Sequence, residues 1–160
     1  MKIRMLSVLA FATSAILGVS AQAQDAPSFP PANNGKTVSI PASQWKFHDT
    51  GARGVDPKTR IEAADAYGDM AQGKHGTFFS FTPGFVSPVH THTYDYYLVV
   101  IKGEMENYEV GVTPIKMGPG SYWYQQGKKA HTTVCLSKQP CLAFIVQSEK
   151  FDAQVPPKEE

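Results

Sequence analysis

The chain lacks an excess of charge of either sign. Its 160 residues hold 15 Lys and Arg against 14 Asp and Glu, and only 18% are charged. This excludes a surface built to coat nucleic acid or an anionic membrane. Cysteine is scarce, at two residues. The two are not spaced Cys-x-x-Cys, which excludes a zinc ribbon and a dithiol redox motif. There is no Gly-rich phosphate loop, because Gly118-Pro119-Gly120 lacks the spacing and the Lys-Ser/Thr ending. There is no Gly-x-Ser-x-Gly elbow of the kind that carries a hydrolase serine. No internal repeat is visible. What is present is enough chain for one domain, with 42% hydrophobic residues, too many for a disordered segment. Thirteen Gly and 12 Pro favour short strands and turns over long helices.

Residues 1–23 read as a secretory signal. Lys2 and Arg4 precede a largely apolar stretch from Leu6 to Val19, and Ala21-Gln22-Ala23 offers small residues for cleavage. Thr13, Ser14 and Gly18 interrupt the stretch, which is short for a stable membrane span. The expected product is periplasmic or secreted, with no membrane attachment after cleavage. Losing Lys2 and Arg4 leaves 13 bases against 14 acids, a formal charge of −1. In an oxidising compartment Cys135 and Cys141 are expected to form a disulfide. The flanking runs, 130–136 and 141–147, read as two strands of a hairpin around Ser137-Lys138-Gln139-Pro140, with the cysteines facing across its mouth.

Residues 24–36 are Pro- and Asn-rich and read as a flexible lead-in. The domain is expected over 37–153, with a frayed tail at 154–160. Thr37–Ile40 reads as a short strand, 49–60 as a loop, and Ile61–Tyr67 as either helix or strand. From residue 76 the pattern is β throughout: Thr77–Thr82, Tyr96–Ile101, Glu104–Val110, Ser121–Gln126, 130–136 and 141–147. Strands at this spacing, with Gly and Pro between them, predict an all-β sandwich or barrel. On Tyr96–Ile101, Leu98 and Val100 share one face and Tyr97, Val99 and Ile101 the other. Both faces are apolar, so the outer one needs a cover, either a second layer of this chain or a partner subunit in a homodimer.

The informative run is Gly84-Phe-Val-Ser-Pro-Val-His90-Thr-His92. Two His at i and i+2 on extended backbone project to one side and can reach one metal ion. His131 follows after a Gly turn. Neutral imidazole suits Zn, Cu, Fe and Ni. His48 and His75 have no ligand spacing and read as surface residues, and Glu104 and Glu106 read as solvent-facing.

These residues resemble the two motifs of the cupin superfamily. In the first, Gly-x5-His-x-His-x3/4-Glu-x6-Gly, Gly84, His90, His92 and Gly103 fall in register. In the second, Gly-x5-Pro-x-Gly-x2-His-x3-Asn, Gly120 and His131 do, while Gln126, Lys128 and Cys135 replace Pro, Gly and Asn. The resemblance covers 76–147. It implies a single cupin-type antiparallel β-barrel of jelly-roll type, preceded by an N-terminal extension. It also implies one divalent transition metal, Fe, Mn, Zn, Cu or Ni, held by His90, His92 and His131.

The usual liganding Glu is replaced by Tyr96, and Asp95 points to the opposite side of the strand. The shell is then completed by water, by the Gln125 amide oxygen, or by the Tyr96 phenol. Tyr96 is also the catalytic candidate, and Trp123 and Phe79 are candidates for the wall of a pocket. Two functions follow. One is a metal-dependent enzyme acting on a small molecule, dioxygenase-like or an isomerase or hydrolase. The alternative is a non-catalytic cupin that binds a small ligand or a metal.

Overall fold

The computed structural model describes residues 37–157. The expected signal segment 1–23 and lead-in 24–36 lie outside the described residues. Eight strands follow a short 3-10 turn at Ala42–Gln44: β1 His48–Arg53, β2 Arg60–Gly68, β3 His75–Phe81, β4 Tyr96–Lys102, β5 Met105–Glu109, β6 Tyr122–Gln125, β7 His131–Cys135 and β8 Cys141–Gln147. The large sheet has the order β1-β2-β3-β8-β4-β6, and β5 pairs with β7 in a second sheet. Every pairing is antiparallel. The segment before His92 widens the second sheet, through bridges from Val86 to Val134 and from His90 to His131. The core between the two layers holds Phe79, Phe81, Phe85, Leu98, Val100, Met105 and Ile145. Among the described residues no helix is long and apolar enough to cross a membrane.

Strand alternation sets the core. Tyr96, Leu98 and Val100 point inward and are buried, while Tyr97, Val99 and Ile101 are 56%, 43% and 40% exposed on the outer face. Residues of the N-terminal segment flank that face: Val38, Ile40 and Trp45 border a groove with Ala66, Phe78, Val99, Ile101 and Phe144. The Trp45 ring lies 4.3 Å from that of Phe78.

Four expectations are corrected. Thr37–Ile40 has no strand partner and runs into the 3-10 turn. Much of the 49–60 loop is strand: β1 pairs with β2, although it carries almost no apolar residue to announce it. The runs 131–135 and 141–147 are not a hairpin, since β7 pairs with β5 while β8 lies between β3 and β4. The Cys135–Cys141 disulfide, with a Cα–Cα distance of 5.8 Å, therefore joins one sheet to the other at their common corner. Lastly, Gln154 is not frayed: its backbone exchanges two hydrogen bonds with Thr91.

Candidate metal centre

His90 and His131 sit opposite each other on antiparallel backbone, with His90 N–H donating to His131 O at 3.1 Å and His131 N–H to His90 O at 3.0 Å. His92 is held by the N–H of Lys128, which donates to its carbonyl at 2.7 Å. Lys128 occupies the motif's Gly position and adopts the left-handed backbone, φ 65°, that favours Gly there. The turn geometry thus survives the replacement. The three imidazoles converge, with a potential ligand atom on each within 4.8 Å of the others.

The tautomer of each ring follows from its neighbours. Nδ1 of His90 faces Pro88 O at 2.9 Å, Nδ1 of His131 faces Lys129 O at 3.0 Å, and Nδ1 of His92 faces Asp152 O. A carbonyl only accepts, so each Nδ1 carries the proton and each Nε2 keeps its lone pair. The His131 Nε2 is buried without a hydrogen-bond partner. An orphaned acceptor of this kind is costly unless something binds it. Burial lowers the basicity of all three rings, His92 to about 4 and His131 to about 3, the latter also through its neighbour His90. Neutral rings with carbonyl-oriented Nδ1–H and a free Nε2 are the donor set that a transition metal takes. The residues present fit such an ion.

Tyr96 is buried beside them, its ring 5.1 Å from His92 and 6.5 Å from His131. Burial pushes its phenol up to about 12, against weaker opposing effects of Trp123 and Thr133. Gln125 is buried opposite Tyr96 in the β4–β6 register. Its Oε1 accepts from Asn107 Nδ2 at 2.9 Å, and its Nε2 donates to Gln126 O at 3.0 Å and Lys129 O at 3.3 Å. The Gln125 amide is thus committed to protein partners on both sides. Asp95 is on the outer face, where it accepts from Gly127 N–H and the Tyr124 hydroxyl. A cavity of about 40 Å³ adjoins His90 and His92, and Trp123 and Phe79 are among its walls.

Several residues of the site were not foreseen. Phe151 packs on His92 at 4.8 Å and on Phe79 at 5.2 Å. Asp152 clamps the same segment, accepting from Thr93 N–H at 2.8 Å and from the Thr93 hydroxyl. A lone aromatic in the polar run Ser148–Ala153 was the available signal. Asn107 shares the inward face of β5 with Met105, which alternation alone marks. His75, expected at the surface, is fully buried. It bonds Thr77 Oγ1 at 2.8 Å and Gln147 Oε1 at 3.2 Å, and Thr77 in turn donates to Asp65. His48 is exposed.

A family profile described as Domain of unknown function (DUF4437) matches residues 38–159. The chain belongs to this family. The fold of this chain is the cupin fold, as its likeness to solved structures shows. An RmlC-like cupin from Shewanella frigidimarina is 17% identical, with a TM-score of 0.54 over 78% of this chain and 94% of that one. The polyketide cyclase RemF from Streptomyces resistomycificus is 18% identical, with a TM-score of 0.58 over 78% and 89%. The DMSP lyase DddQ from Ruegeria pomeroyi is 19% identical, with a TM-score of 0.54 over 73% of this chain and 63% of that one. No curated protein sequence matches the DUF4437 chain.

Proposed function

We propose that this is an exported cupin in which Nε2 of His90, His92 and His131 holds one divalent transition metal, and that it is a metal-dependent enzyme acting on a small molecule. The observation that carries the reading is the buried, unpartnered Nε2 of His131 beside two rings of the same tautomer. Fe, Mn, Zn, Cu and Ni all suit three imidazoles. When bound, such an ion supplies Lewis acidity or redox chemistry and open positions for a substrate. The chain's own part is to fix the rings through three carbonyls, to exclude water with Phe79, Trp123 and Phe151, and to present the Tyr96 hydroxyl. With its phenol held protonated, Tyr96 is a hydrogen-bond donor to a bound ligand and the catalytic candidate. That two neighbours of the same fold are a lyase and a cyclase supports chemistry on small molecules. The narrow cavity favours a second reading, a non-catalytic binder of a small ligand or of the metal itself.

In this reading residues 1–23 are removed on export, and the disulfide forms in the oxidising compartment that follows. A second copy pairs on the outer face of β4 and β6, around Tyr97 and Tyr122. Sedimentation velocity tests the pairing. The deciding test is metal content. Untagged protein exported to a periplasm is measured by elemental mass spectrometry beside His131→Ala. One equivalent of a transition metal, lost in the variant, is the expected result. No metal, and no uptake on titration with Fe(II), Mn(II), Zn(II), Cu(II) or Ni(II), refutes the metal reading.

A further inference from the structure

Away from the histidine cluster, Asp65, Thr77, His75 and Gln147 form a chain of hydrogen bonds that ends on the Tyr94 carbonyl. Asp65 Oδ1 meets Thr77 Oγ1, Thr77 Oγ1 lies 2.8 Å from His75 Nδ1, His75 Nε2 lies 3.2 Å from Gln147 Oε1, and Gln147 Nε2 donates to Tyr94 O at 3.2 Å. These four contacts need four hydrogens. With Asp65 ionised and the ring neutral the chain has only those of the Thr77 hydroxyl, the ring and the Gln147 amide. One contact is then left as two facing acceptors. If Thr77 donates to Asp65, Nδ1 must carry the ring hydrogen, and Nε2 faces Gln147 Oε1 bare. Turning the Gln147 amide over only sets its oxygen against Tyr94 O. If Thr77 donates to His75, no hydrogen lies between its oxygen and the Asp65 carboxylate. His75, Thr77 and Gln147 are buried, so an unmade bond there is costly.

We infer that Asp65, Thr77 and His75 are a proton-binding site that holds one proton in common in the folded chain at neutral pH. That proton supplies the missing hydrogen in either of two arrangements. In one the ring carries hydrogen on both nitrogens beside the Asp65 carboxylate. In the other the His75 Nδ1 hydrogen has passed to Thr77 Oγ1 as the Thr77 hydrogen has passed to Asp65 Oδ1. Both are neutral overall, whereas the site without its proton carries a net negative charge into the interior. Burial lowers the basicity of the ring, while Gln147 and the carboxylates of Asp65 and Asp69 oppose this. The relay satisfies both, since the proton can leave the ring without leaving the site. Among the described residues, half-buried Asp65 of β2 and exposed Asp69 beyond it are the charged groups that act on His75. β8 presents the uncharged Gln147, and the C-terminal segment presents Phe151, edge-on at 6.4 Å. The proton thereby latches β2, β3 and β8 to Tyr94, two residues past His92. The site needs no metal.

The test is nitrogen and carbon NMR of the full mature chain, free of metal and labelled at histidine and aspartate, at about pH 8. A free ring there is about thirtyfold more often neutral than charged, and a free carboxyl is ionised. The expected spectrum shows hydrogen on both nitrogens of His75 beside an ionised Asp65, or hydrogen on Nε2 alone beside a protonated Asp65 carboxyl. Either means that the site keeps its proton at least about thirtyfold more tightly than a free ring does. A neutral ring beside an ionised Asp65 overturns the inference. Asp65→Asn brings an amide hydrogen of its own to Thr77 and so completes the chain without the proton. Its ring is expected to be neutral, with hydrogen on Nε2. A ring that stays doubly protonated in this variant, or that carries its hydrogen on Nδ1, also overturns the inference. Should the variant fail to fold, the wild-type spectrum decides alone.

Discussion

Gln125 and His131 donate to one and the same oxygen, the carbonyl of Lys129, at 3.3 Å and 3.0 Å. Gln125 is thereby a positioning residue for the His131 ring. It is itself fixed by Asn107, whose Oδ1 accepts from the Thr133 hydroxyl at 2.8 Å. Removing the amide loosens the carbonyl that orients the ring and leaves the Asn107 amide without its acceptor. Gln125→Leu is expected to weaken metal binding about tenfold and to cost about 2 kcal/mol of stability. Competition with a chromophoric chelator and urea unfolding read the two effects separately. Unchanged affinity would show that the ring needs no such support.

Protons should compete with the fold itself. His92 and His131 titrate at about 4 and about 3 in the native state, against 6.5 for a free ring, because burial disfavours the cation. Below 6.5 the unfolded chain takes up protons that the native chain refuses. Stability of the metal-free protein is therefore full above about pH 6.5 and falls as the pH drops toward 4, by up to about 1.4 kcal/mol per pH unit for each such ring. Urea midpoints at about pH 7, 6 and 5 check the slope. In His92→Ala the slope should be shallower, and a wild-type midpoint that does not move with pH would contradict the argument.

Asp152 holds the C-terminal segment over the site through Thr93, while its backbone oxygen orients His92. Asp152→Ala keeps the carbonyl but removes the clamp. We expect a loss of about 2 kcal/mol together with weaker metal retention, and smaller effects for Asp152→Asn, which keeps one acceptor. Thermal unfolding with and without added metal measures both. A variant that loses stability but binds metal as tightly as the wild type would place the clamp outside the site.

The disulfide links β7, which begins at His131, to β8 of the other sheet. Replacing both cysteines by Ala should cost about 2 kcal/mol, the value expected for so short a closed loop. The loss should appear in chemical unfolding of the oxidised protein and be absent under reduction, where the wild type already lacks the bond. Equal stability of the two oxidised proteins would show that the corner is held by packing alone.

The strands from residue 75 onward were legible because alternation and turn residues agree there: Leu98 and Val100 against Tyr97 and Val99 is a pattern with one structural meaning. The histidines were legible for the same reason, two alternate positions on extended backbone. Partnership was not legible. Nothing local distinguishes a hairpin from two adjacent strands that turn into different sheets, so the partners of β7 and β8 were misassigned. Nor could local pattern reveal His75, whose burial depends on Thr77, Asp65 and Gln147 meeting it across three strands. β1 escaped notice because it lies at the sheet edge and needs few apolar residues.

The oxygen that fixes His92 belongs to a residue 60 positions further along the chain. A nascent chain carries His90, His92 and His131 well before it carries Asp152. The centre therefore cannot be finished until residue 152 has been made, and a product clipped before Phe151 would retain every histidine yet lack the acceptor that aims one of them. Limited digestion that trims only this segment should then yield a barrel that folds and releases its ion. Integrity of the 151–154 stretch thus serves as a quality mark for a histidine cluster encoded entirely upstream of it.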